Sequence, residues 1–341
     1  MESSVGTNAP KHTSIPTVEG VALPRVGLLG NPSDGFGGRC LAFTFDGFRA
    51  TVRLRLQQDT TDVQVFGPTG LRSLVTAGLQ EAQAVGLAPN AGVGLQIEIE
   101  TSIPRQVGLS GSSAVIVALF RALEQLHHRR LPPGELAACA WRVESERMGI
   151  ACGPLDRAVQ VVEGLVHLDF VDPLPSLKVQ HLPPVPVAGL FLAWDPKGGE
   201  PSGEVHAGVR QRLAAGEHEI LEVMRHTAHL ADRGLALFEG CGASGPAPSA
   251  LADLCDQNFA YRAAVFPIST RDHTLVNIAR THNAGAKQAG SGGAVIGVLR
   301  EPDALPGLQQ DYAQQGFRCA VPHVGARTQK AREAAEPSSR A

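Results

Sequence analysis

The sequence lacks the features of several protein classes. Its six cysteines include no Cys-x-x-Cys pair and have no neighbouring histidine cluster, which argues against a zinc site and a disulfide framework. No basic run occurs, and the net charge is -3 with a pI near 6.5, so we expect no nucleic-acid partner. No segment approaches the ~20 apolar residues of a membrane span, and residues 1–20 are polar. We therefore expect a cytoplasmic protein, not bound to a membrane, that acts on small solutes.

Lysine is scarce, with five residues in the whole chain, and the common P-loop, Gly-x-x-x-x-Gly-Lys-Ser/Thr, occurs nowhere. What is present is an ordinary globular composition, with 43% apolar and 18% charged residues. At 341 residues the chain can bury substantial cores, and this length suggests two domains.

A glycine- and serine-rich loop separates a strand pattern from a helix pattern. Residues 104–114 read Pro-Arg-Gln-Val-Gly-Leu-Ser-Gly-Ser-Ser-Ala, and they follow the alternating residues 95–100. The glycines let the backbone turn close to a ligand, and a helix beginning at Ser112 or Ser113 points unpaired N–H groups at it. The hydroxyls of these serines and of Ser110 can bond phosphate oxygens or share a magnesium ion. The pattern also suits a simple serine cap on a buried helix.

This loop resembles the phosphate-binding motif of the GHMP small-molecule kinases, Pro-x-x-x-Gly-Leu-Gly-Ser-Ser-Ala. It carries one residue more, Gly-Leu-Ser-Gly-Ser-Ser, and in that form it resembles the glucuronokinases within the superfamily. The resemblance implies that the loop binds the phosphates of ATP. The residues concerned are Pro104, Gly108, Leu109, Ser110, Gly111, Ser112, Ser113 and Ala114.

The first strand pattern and its turn resemble the first GHMP motif. Residues 24–30 read Pro-Arg-Val-Gly-Leu-Leu-Gly, similar to Pro-x-Lys/Arg-Val-x-Leu-x-Gly-Glu-His of galactokinases, but Asn-Pro replaces Glu-His and disfavours galactose. By this resemblance Asp34, Asn31 and Ser33 form a polar wall against the sugar hydroxyls, although a turn of this composition needs no such role. Arg25 is expected near the anomeric oxygen, where it neutralises charge on the transferred phosphoryl group.

An aspartate follows a Gly-Pro turn in residues 153–160, which read Gly-Pro-Leu-Asp-Arg-Ala-Val-Gln. Such an aspartate commonly caps the next helix. The segment also resembles the glucuronokinase counterpart of the GHMP segment that ends in the catalytic aspartate. Because a kinase acting on a hydroxyl needs a carboxylate near the attacking oxygen, we assign Asp156 as that group, with Arg157 beside it as a candidate for binding substrate.

Two glutamates upstream can complete a magnesium site. Glu144 and Glu146 lie in a predicted helix over residues 136–148, and either could join Ser112 or Ser113 on the metal. Their spacing to the catalytic aspartate does not choose between them, and exposed glutamates are common on helices.

Two further segments carry the resemblance into the second half. Residues 203–212 read Gly-Glu-Val-His-Ala-Gly-Val-Arg-Gln-Arg, similar to Ser-Gly-Lys-Val-His-Ser-x-Val-Arg-Gln-Arg of glucuronokinases. Within this segment, Arg210 is our favoured candidate for binding a substrate carboxylate, because its planar guanidinium group can donate two hydrogen bonds to it. An arginine on a helix is, however, more often a solvated charge. Residues 284–298 match the third GHMP motif, Gly-Ala-Lys-x-x-Gly-x-Gly-Gly, which closes the phosphate end of the site. The motif residues are Lys287, Gly290, Gly292 and Gly293.

The resemblance implies an α+β, two-domain GHMP kinase fold. We expect a ribosomal protein S5 domain 2-like N-terminal domain, which binds ATP, at residues 21–180 and a ferredoxin-like C-terminal domain at residues 187–324. Residues 1–20 and 325–341 are expected to be disordered. Local patterns predict a proline-rich crossing between the domains over residues 173–186, together with the following elements. These are a hairpin over 49–66, helices over 71–85, 204–213, 220–238 and 251–266, a strand over 187–193, and a helix end, glycine loop and strand over 284–298.

Together these motifs predict an ATP- and Mg²⁺-dependent sugar kinase. The expected reaction converts ATP and D-glucuronate, a uronic acid, to ADP and glucuronate 1-phosphate. Two alternatives stay open: a related kinase acting on a heptose, arabinose, fucose or galactose-type sugar, and a non-catalytic protein of this fold that only binds sugar or nucleotide. Retention of Asp156 and Lys287 argues against the second, because a pure binder needs no catalytic carboxylate.

Overall fold

The structure is a computed structural model that describes residues 17–57, 60–87, 93–198 and 202–328, without the side chains of 202–206. Its strands are β1 Val18–Ala22, β2 Arg25–Leu29, β3 Arg39–Thr44, β4 Ala50–Gln57, β5 Val63–Phe66, β6 Gly94–Thr101, β7 Leu165–Asp169, β8 Lys178–Leu182, β9 Leu190–Trp194, β10 Ala284–Gln288, β11 Ala294–Leu299 and β12 Arg318–Ala320. Its helices are α1 Thr69–Ala84, α2 Gly111–Leu126, α3 Pro133–Arg142, α4 Leu155–Val162, α5 Ser202–Ala214, α6 Glu219–Gly240, α7 Pro248–Val265, α8 Thr270–Thr281 and α9 Leu305–Gln314. None of these helices is long and apolar enough to cross a membrane.

The described strands form three sheets of four strands each. Their orders are β1-β4-β6-β5, β2-β3-β7-β8 and β10-β11-β9-β12. Helix α2 packs on the first sheet, and α6 from the second half of the chain packs on β3 of the second sheet. The mixed layers of strands and helices confirm the predicted α+β class. The division into domains at residues 180–187 stays a prediction.

Helix α2 is the centre of the first layer because its sequence is apolar almost all round. Ten of its residues are buried, from Ser113 to Leu123. It lies unusually close to β1, since a Cβ on Gly20 would be 2.6 Å from the backbone nitrogen of Ala122. Glycine at this strand position therefore lets the helix reach the sheet and aim its N-terminus at the loop before it.

Strand pairing corrects the predicted hairpin over residues 49–66. Strand β4 pairs with β1 and β6, whereas β5 pairs in parallel with β6, with Val63 opposite Leu95. The two segments are both strands, as their alternation predicted, but they are not partners. Alternation fixes which side chains face the core and leaves the partner strand undetermined.

The proline-rich crossing and the predicted tails contain ordered structure. Strand β8 lies within the crossing and pairs with β7. Strand β1 begins at Val18, inside the segment expected to be disordered. At the other end, the Thr44 hydroxyl donates to the Ala326 carbonyl at 2.5 Å, and the Thr328 amide donates to Glu163 Oε2 at 2.6 Å. Residues 1–16 and 329–341, the rest of the predicted tails, lie outside the described residues.

The second half follows the predicted order of elements, with one error of type. Residues 284–288 form strand β10, not a helix end, because they pair with β11 in a hairpin. Their small side chains, Ala, Gly and Ala, fit between the sheet and α7, where a Cβ on Gly285 would meet the backbone of Ala252. Helices α8 and α9 were not predicted. Helix α8 begins at a clear cap, since the Ser269 hydroxyl accepts from the Asp272 amide.

Candidate active site

A cleft of about 660 Å³ brings both halves of the chain together. The first half contributes the glycine loop, the turn after β2 and the segment from Met148 to Arg157. The second half contributes Arg262 on α7 and the glycine turn at Gly290 and Ser291. All three segments that resemble GHMP motifs therefore contribute to one cavity.

The glycine loop is shaped by three residues in the left-handed region of backbone space. Gln106 has φ 55°, Gly108 has φ 72°, and Ser110, the N-cap of α2, has φ 62°. Gly108 also touches the second glycine turn, since a Cβ on it would lie 2.7 Å from the Gly292 carbonyl oxygen. Helix α2 begins at Gly111, one residue earlier than predicted, so the N–H groups of its first turn have no helical acceptor and lie at the cleft.

The three serines of the loop have different surroundings. The Ser110 hydroxyl is buried and has no hydrogen-bond partner among the described residues. The Ser112 hydroxyl donates to Glu144 Oε1 at 2.8 Å. The Ser113 hydroxyl is buried and donates to the Ser110 carbonyl at 3.2 Å, and the Ala114 amide donates to the same oxygen at 3.0 Å. The prediction that Ser113 and Ala114 contact phosphate or metal is therefore wrong for the Ser113 hydroxyl and the Ala114 amide.

Of the two candidate metal glutamates, the structure brings only Glu144 to the cleft. Helix α3 ends at Arg142 and the chain continues as a π-helical turn, Val143–Arg147, which turns Glu144 inward and leaves Glu146 exposed. The prediction of Glu146 as a ligand is wrong, because the wider turn separates the two side chains. Glu144 Oε2 accepts a hydrogen bond from Arg157, so its charge is balanced on the protein side.

Asp156 and Arg25 form an ion pair at the end of the glycine loop. Arg25 Nε and Nη2 donate to Asp156 Oδ1 at 2.8 and 2.5 Å. Arg25 Nη1 donates to the carbonyls of Gly108 and Ala289, which fixes the guanidinium between the two glycine segments. The side chain of Arg25 is 5% exposed and that of Asp156 26%, so the carboxylate is the open partner. Helix α4 has Pro154 as its N-cap, and Asp156 is therefore not a capping residue.

Asp34 and Asn31 line the cleft near this pair, as the polar-wall prediction required, but Ser33 does not. Asp34 Oδ2 accepts from the Leu155 amide at 3.1 Å, and burial together with the charge of Asp156 raises the pKa of Asp34 to about 6. The Ser33 hydroxyl donates to the Arg39 carbonyl at 3.0 Å on the far side of the turn. The prediction for Ser33 is wrong because the turn uses its hydroxyl to close its own backbone.

The third motif supports the site mostly from behind. Lys287 is fully buried, outside the cleft, and donates to the Gly27 carbonyl and to Asn31 Oδ1 at 2.7 and 2.6 Å. Burial lowers its pKa to about 7. The prediction that Lys287 binds phosphate is wrong, because strand β10 points its side chain at the turn after β2. Gly290 lines the cleft, whereas Gly292 packs behind Gly108.

Gly293 also belongs to the second glycine turn. Its amide donates to Asp272 Oδ1 at 2.8 Å, and the residue does not line the cleft. Together with Gly292 it shapes the turn and makes no surface for a ligand, which corrects their assignment as binding residues. A Cβ on Gly292 would lie 2.7 Å from Asp272 Oδ2, so this close packing needs glycine.

The arginines differ from their predicted arrangement. Arg157 is buried in the cleft, where burial lowers its pKa to about 9, and it donates to Glu144 and to the Gly153 carbonyl. Arg210 is exposed on α5, donates to the carbonyl of the cleft residue Cys152 at 3.0 Å and does not itself line the cleft, so its assignment as the substrate fork stays a prediction without support from the cleft lining. Helix α5 places it behind the segment that forms the cleft wall.

Sequence reasoning missed Arg262, a buried arginine of α7 that does line the cleft. Its surroundings in the sequence were a usable signal, because residues 258–266 read Asn-Phe-Ala-Tyr-Arg-Ala-Ala-Val-Phe with one charge in a largely apolar run. A charge in such a run is either satisfied internally or placed for a ligand.

One arm of the cleft is apolar and also escaped prediction. It is lined by the start of α1 and by side chains around the glycine loop, and its members are Gly70, Leu71, Leu74, Ile103, Pro104 and Met148. Leu109 lines the cleft between this arm and the ion pair. A flat aromatic group fits such an apolar arm.

The oxygen donors suit a magnesium ion. Ser112 Oγ and Glu144 Oε1 meet at the cleft, and both are hard ligands. No group of three His, Cys, Asp or Glu that could hold a metal occurs among the described residues. Two protein oxygens are enough for magnesium, which commonly completes its shell with phosphate oxygens and water.

Several known proteins are similar to this chain in sequence or in fold. Residues 74–164 match the family model described as the GHMP kinases N terminal domain. "Glucuronokinase 1" of Arabidopsis thaliana is 29% identical over 88% of this chain and 90% of its own. "Probable glucuronokinase 2" of the same plant is 30% identical over 87% of this chain and 88% of its own.

Solved structures confirm the predicted fold. The structure of Lactococcus lactis galactokinase complexed with galactose has a TM-score of 0.74 at 16% identity, covering 92% of this chain and 95% of that one. Methanococcus jannaschii mevalonate kinase has a TM-score of 0.68 at 16% identity, covering 92% and 99%. At this identity the likeness concerns the fold alone.

Proposed function

The chain belongs to the GHMP kinase family, whose members transfer phosphate to an alcohol, and on that premise we propose that it phosphorylates the anomeric hydroxyl of D-glucuronate with ATP. The observation that carries the proposal is the Arg25–Asp156 pair, set where the glycine loop meets the sugar-side turn. The specific choice of glucuronate is supported by the similarity to glucuronokinases over almost nine-tenths of the chain.

The donor side follows from the start of α2. Amides of Gly111 and Ser112 lie at the positive end of the helix dipole, and the Ser110 hydroxyl is buried without a partner among the described residues, so both have unused capacity for phosphate oxygens. The apolar arm at Leu71 and Leu74 would receive the adenine. In this proposal the terminal phosphate would point toward Asp156.

The acceptor side follows from the ion pair. Arg25 occupies Asp156 Oδ1, and Oδ2, which lies 3.9 Å from Arg157 Nη1, is the oxygen that would accept the proton of the anomeric hydroxyl. As that O–H bond breaks, the sugar oxygen bonds to the γ-phosphorus and the bond from this phosphorus to the bridging oxygen of ADP breaks. Arg25 stabilises the charge on the transferred group.

Ser112 and Glu144 would hold the magnesium ion of the nucleotide, with Arg157 orienting the glutamate from behind. When bound, the ion neutralises phosphate charge. The serine and glutamate are already in contact, so the donor set is preorganised. Asp34 and Asn31 face the sugar hydroxyls in this scheme.

A neutral-sugar kinase is the second candidate function. The sugar-side groups nearest the ion pair, Asn31 and Asp34, suit hydroxyl groups and contribute no positive charge. A site of this kind could serve a hexose without a carboxylate.

A coupled ADP-release assay with D-glucuronate, D-galacturonate, D-glucose and D-galactose tests the proposal. We expect kcat/KM for glucuronate to exceed that for glucose by at least about a hundredfold, because a desolvated cation left unpaired by glucose disfavours that sugar. Phosphorus NMR should identify an anomeric phosphomonoester. A higher kcat/KM for a neutral sugar would overturn glucuronate as the substrate but would leave the assignment as a sugar kinase standing. Absence of ADP release with all four sugars would reject the whole proposal.

A further inference from the structure

We propose that Arg262 is the residue that binds the substrate's carboxylate, an inference that rests on the proposed function. The proposal replaces Arg210, which lies outside the cleft. It assigns to α7, in the second half of the chain, the selection of an acid sugar over a neutral one.

The other arginines at the cleft have prior partners or another location. Among the described residues four arginines line it. Arg25 is paired with Asp156, and Arg157 with Glu144. Arg105 is exposed beside the start of α1, where a Cβ on Gly70 would lie 3.1 Å from its Nη2, at the apolar arm. Arg262 is thus the cleft arginine at the sugar end without a carboxylate partner in the described chain.

The surroundings of the Arg262 guanidinium suit the binding of an anion. Its residue is 1% exposed, and no Asp or Glu of the described residues lies within 4.0 Å of its guanidinium. Nη2 donates to the Ser291 carbonyl at 2.9 Å, and Nε is buried without a partner in the described part of the chain. The guanidinium lies 5.0 Å from the centroid of the Phe266 ring, which supports one of its faces. A desolvated unpaired cation is unfavourable, so a bound carboxylate would gain from it.

The position of Arg262 matches the geometry of a uronic acid. Burial lowers its pKa to about 10, opposed by the charges of Asp272 and Asp34, while Arg25 lowers it further. Arg262 lines the same cavity as Asp34 of the sugar wall and Arg25 of the ion pair. In a pyranuronate the ring oxygen separates the anomeric carbon from the ring carbon that carries the carboxylate. With the anomeric hydroxyl at Asp156, the carboxylate therefore lies at another wall of the cleft.

Arg262 also holds the glycine turn, and this structural role must be separated from carboxylate binding. Its bond to the Ser291 carbonyl supports the turn that packs against Gly108. A variant that only loosened this turn would slow phosphoryl transfer to every sugar. Loss of carboxylate binding instead raises KM for glucuronate and leaves glucose kinetics nearly unchanged.

The test compares Arg262→Gln, Arg262→Lys and Arg262→Ala with the native enzyme on glucuronate and glucose. Glutamine keeps a donor for Ser291 and removes the charge, so it remains informative where alanine fails to fold. We expect Arg262→Gln to lower kcat/KM for glucuronate by at least about 30-fold, mainly through KM, and to change that for glucose by less than about threefold. Lysine should recover part of the loss, because it keeps the charge without the planar fork.

Arg280→Ala is the matched control. Arg280 also lies over an aromatic ring, 5.1 Å from the Phe259 centroid, but it stands outside the cleft on α8. Its removal should leave the ratio of the two sugars unchanged. Titration calorimetry of glucuronate without nucleotide should show the same loss of affinity in Arg262→Gln and none in Arg280→Ala.

The outcomes separate this inference from the proposed function. Native preference for glucuronate with equal losses on both sugars in Arg262→Gln would overturn the inference alone and make Arg262 a support of the turn. A native enzyme that prefers a neutral sugar would overturn the assignment of glucuronate, and the carboxylate role of Arg262 with it. Compression of the glucuronate-to-glucose ratio in Arg262→Gln, with an unchanged ratio in Arg280→Ala, supports both.

Discussion

At the scale of single residues, the cleft contains two pairs of charges that neutralise each other, and Asp34, Arg105 and Arg262 lie outside these pairs. Asp156 is balanced by Arg25, and Glu144 by Arg157. These pairs hold the groups in place before a ligand arrives, which reduces the reorganisation needed during reaction. In our proposal, Arg262 is the residue whose positive charge a neutral sugar cannot balance.

Asp156→Asn tests the catalytic assignment. The amide keeps the size and one acceptor for Arg25 but cannot take a proton, so we expect kcat to fall by at least about a hundredfold while the affinity for ATP stays within a few-fold. Steady-state kinetics and nucleotide titration measure the two effects. Asp172→Asn, in an exposed pair with Lys178, is the control and should be indistinguishable from the native enzyme. Normal turnover in Asp156→Asn would give this carboxylate a purely structural role.

Asp34 should make the stability of the fold depend on pH. Burial raises its pKa from 3.8 to about 6, so the ionised form is favoured less in the folded than in the unfolded chain. The resulting destabilisation is absent well below pH 3.8, grows between pH 3.8 and about 6, and is complete above that range. Asp34→Asn should therefore stabilise the protein by about 1–3 kcal/mol at pH 8 and much less at pH 4. Urea unfolding at both pH values decides, and equal effects at the two would contradict the prediction.

At the scale of elements, sequence patterns located strands and helices well and their mutual arrangement less well. The loop before α2 was found because glycine and serine between a strand and a helix restrict the backbone strongly. The choice of Glu144 over Glu146 was not available, because a π-helical turn is set by packing around it and leaves no periodic pattern. The inward direction of Lys287 was missed since a short run of small residues indicates neither strand nor helix.

Gly108→Ala tests the contact between the two glycine segments. Alanine at φ 72° is strained, and its Cβ would lie 2.7 Å from the Gly292 carbonyl oxygen, so the loop must shift away from the turn. We expect kcat/KM for ATP to fall at least about tenfold, with a loss of stability greater than that of the control.

Gly47→Ala is that control, because Gly47 has φ 90° with nothing within 4 Å of an added Cβ. It should show the backbone strain alone, about 1–2 kcal/mol, and native kinetics. If the two variants lose equal stability and Gly108→Ala keeps its kinetics, the contact with Gly292 has no role in placing the loop. Thermal unfolding and initial rates over a range of ATP concentrations supply both comparisons.

At the scale of the whole molecule, the halves of the chain are joined at many places, among them the side chains of Arg25 and Glu163. Arg25 donates to carbonyls on both sides of the cleft, at Gly108 and Ala289. Away from the cleft, Glu163 accepts from the Thr328 amide near the end of the described chain and pairs with Arg121 of α2 at 2.6 Å.

Glu163→Gln should weaken the fold without affecting catalysis. The side chain of Glu163 is fully buried and that of Arg121 13% exposed, so the neutral variant leaves an unbalanced cation in the interior. We expect a loss of about 3 kcal/mol in the free energy of unfolding, with kcat unchanged because the pair lies outside the cleft. Glu217→Gln, which breaks the exposed pair with Arg212, should leave the urea midpoint unchanged. A midpoint equally unchanged in Glu163→Gln would show that the buried carboxylate does not stabilise the fold.

The joint at Glu163 also has a consequence for how the protein is made. A ribosome synthesises Glu163 165 residues before Thr328, so the first sheets must assemble while this carboxylate has Arg121 but not its later partner. Truncated messenger RNAs that end between the codons of α6 and β12 would yield polypeptides with an exposed surface, or seam, beside β7. Such a seam is a site that chaperones and proteases can recognise, which lets quality control distinguish unfinished chains from complete ones.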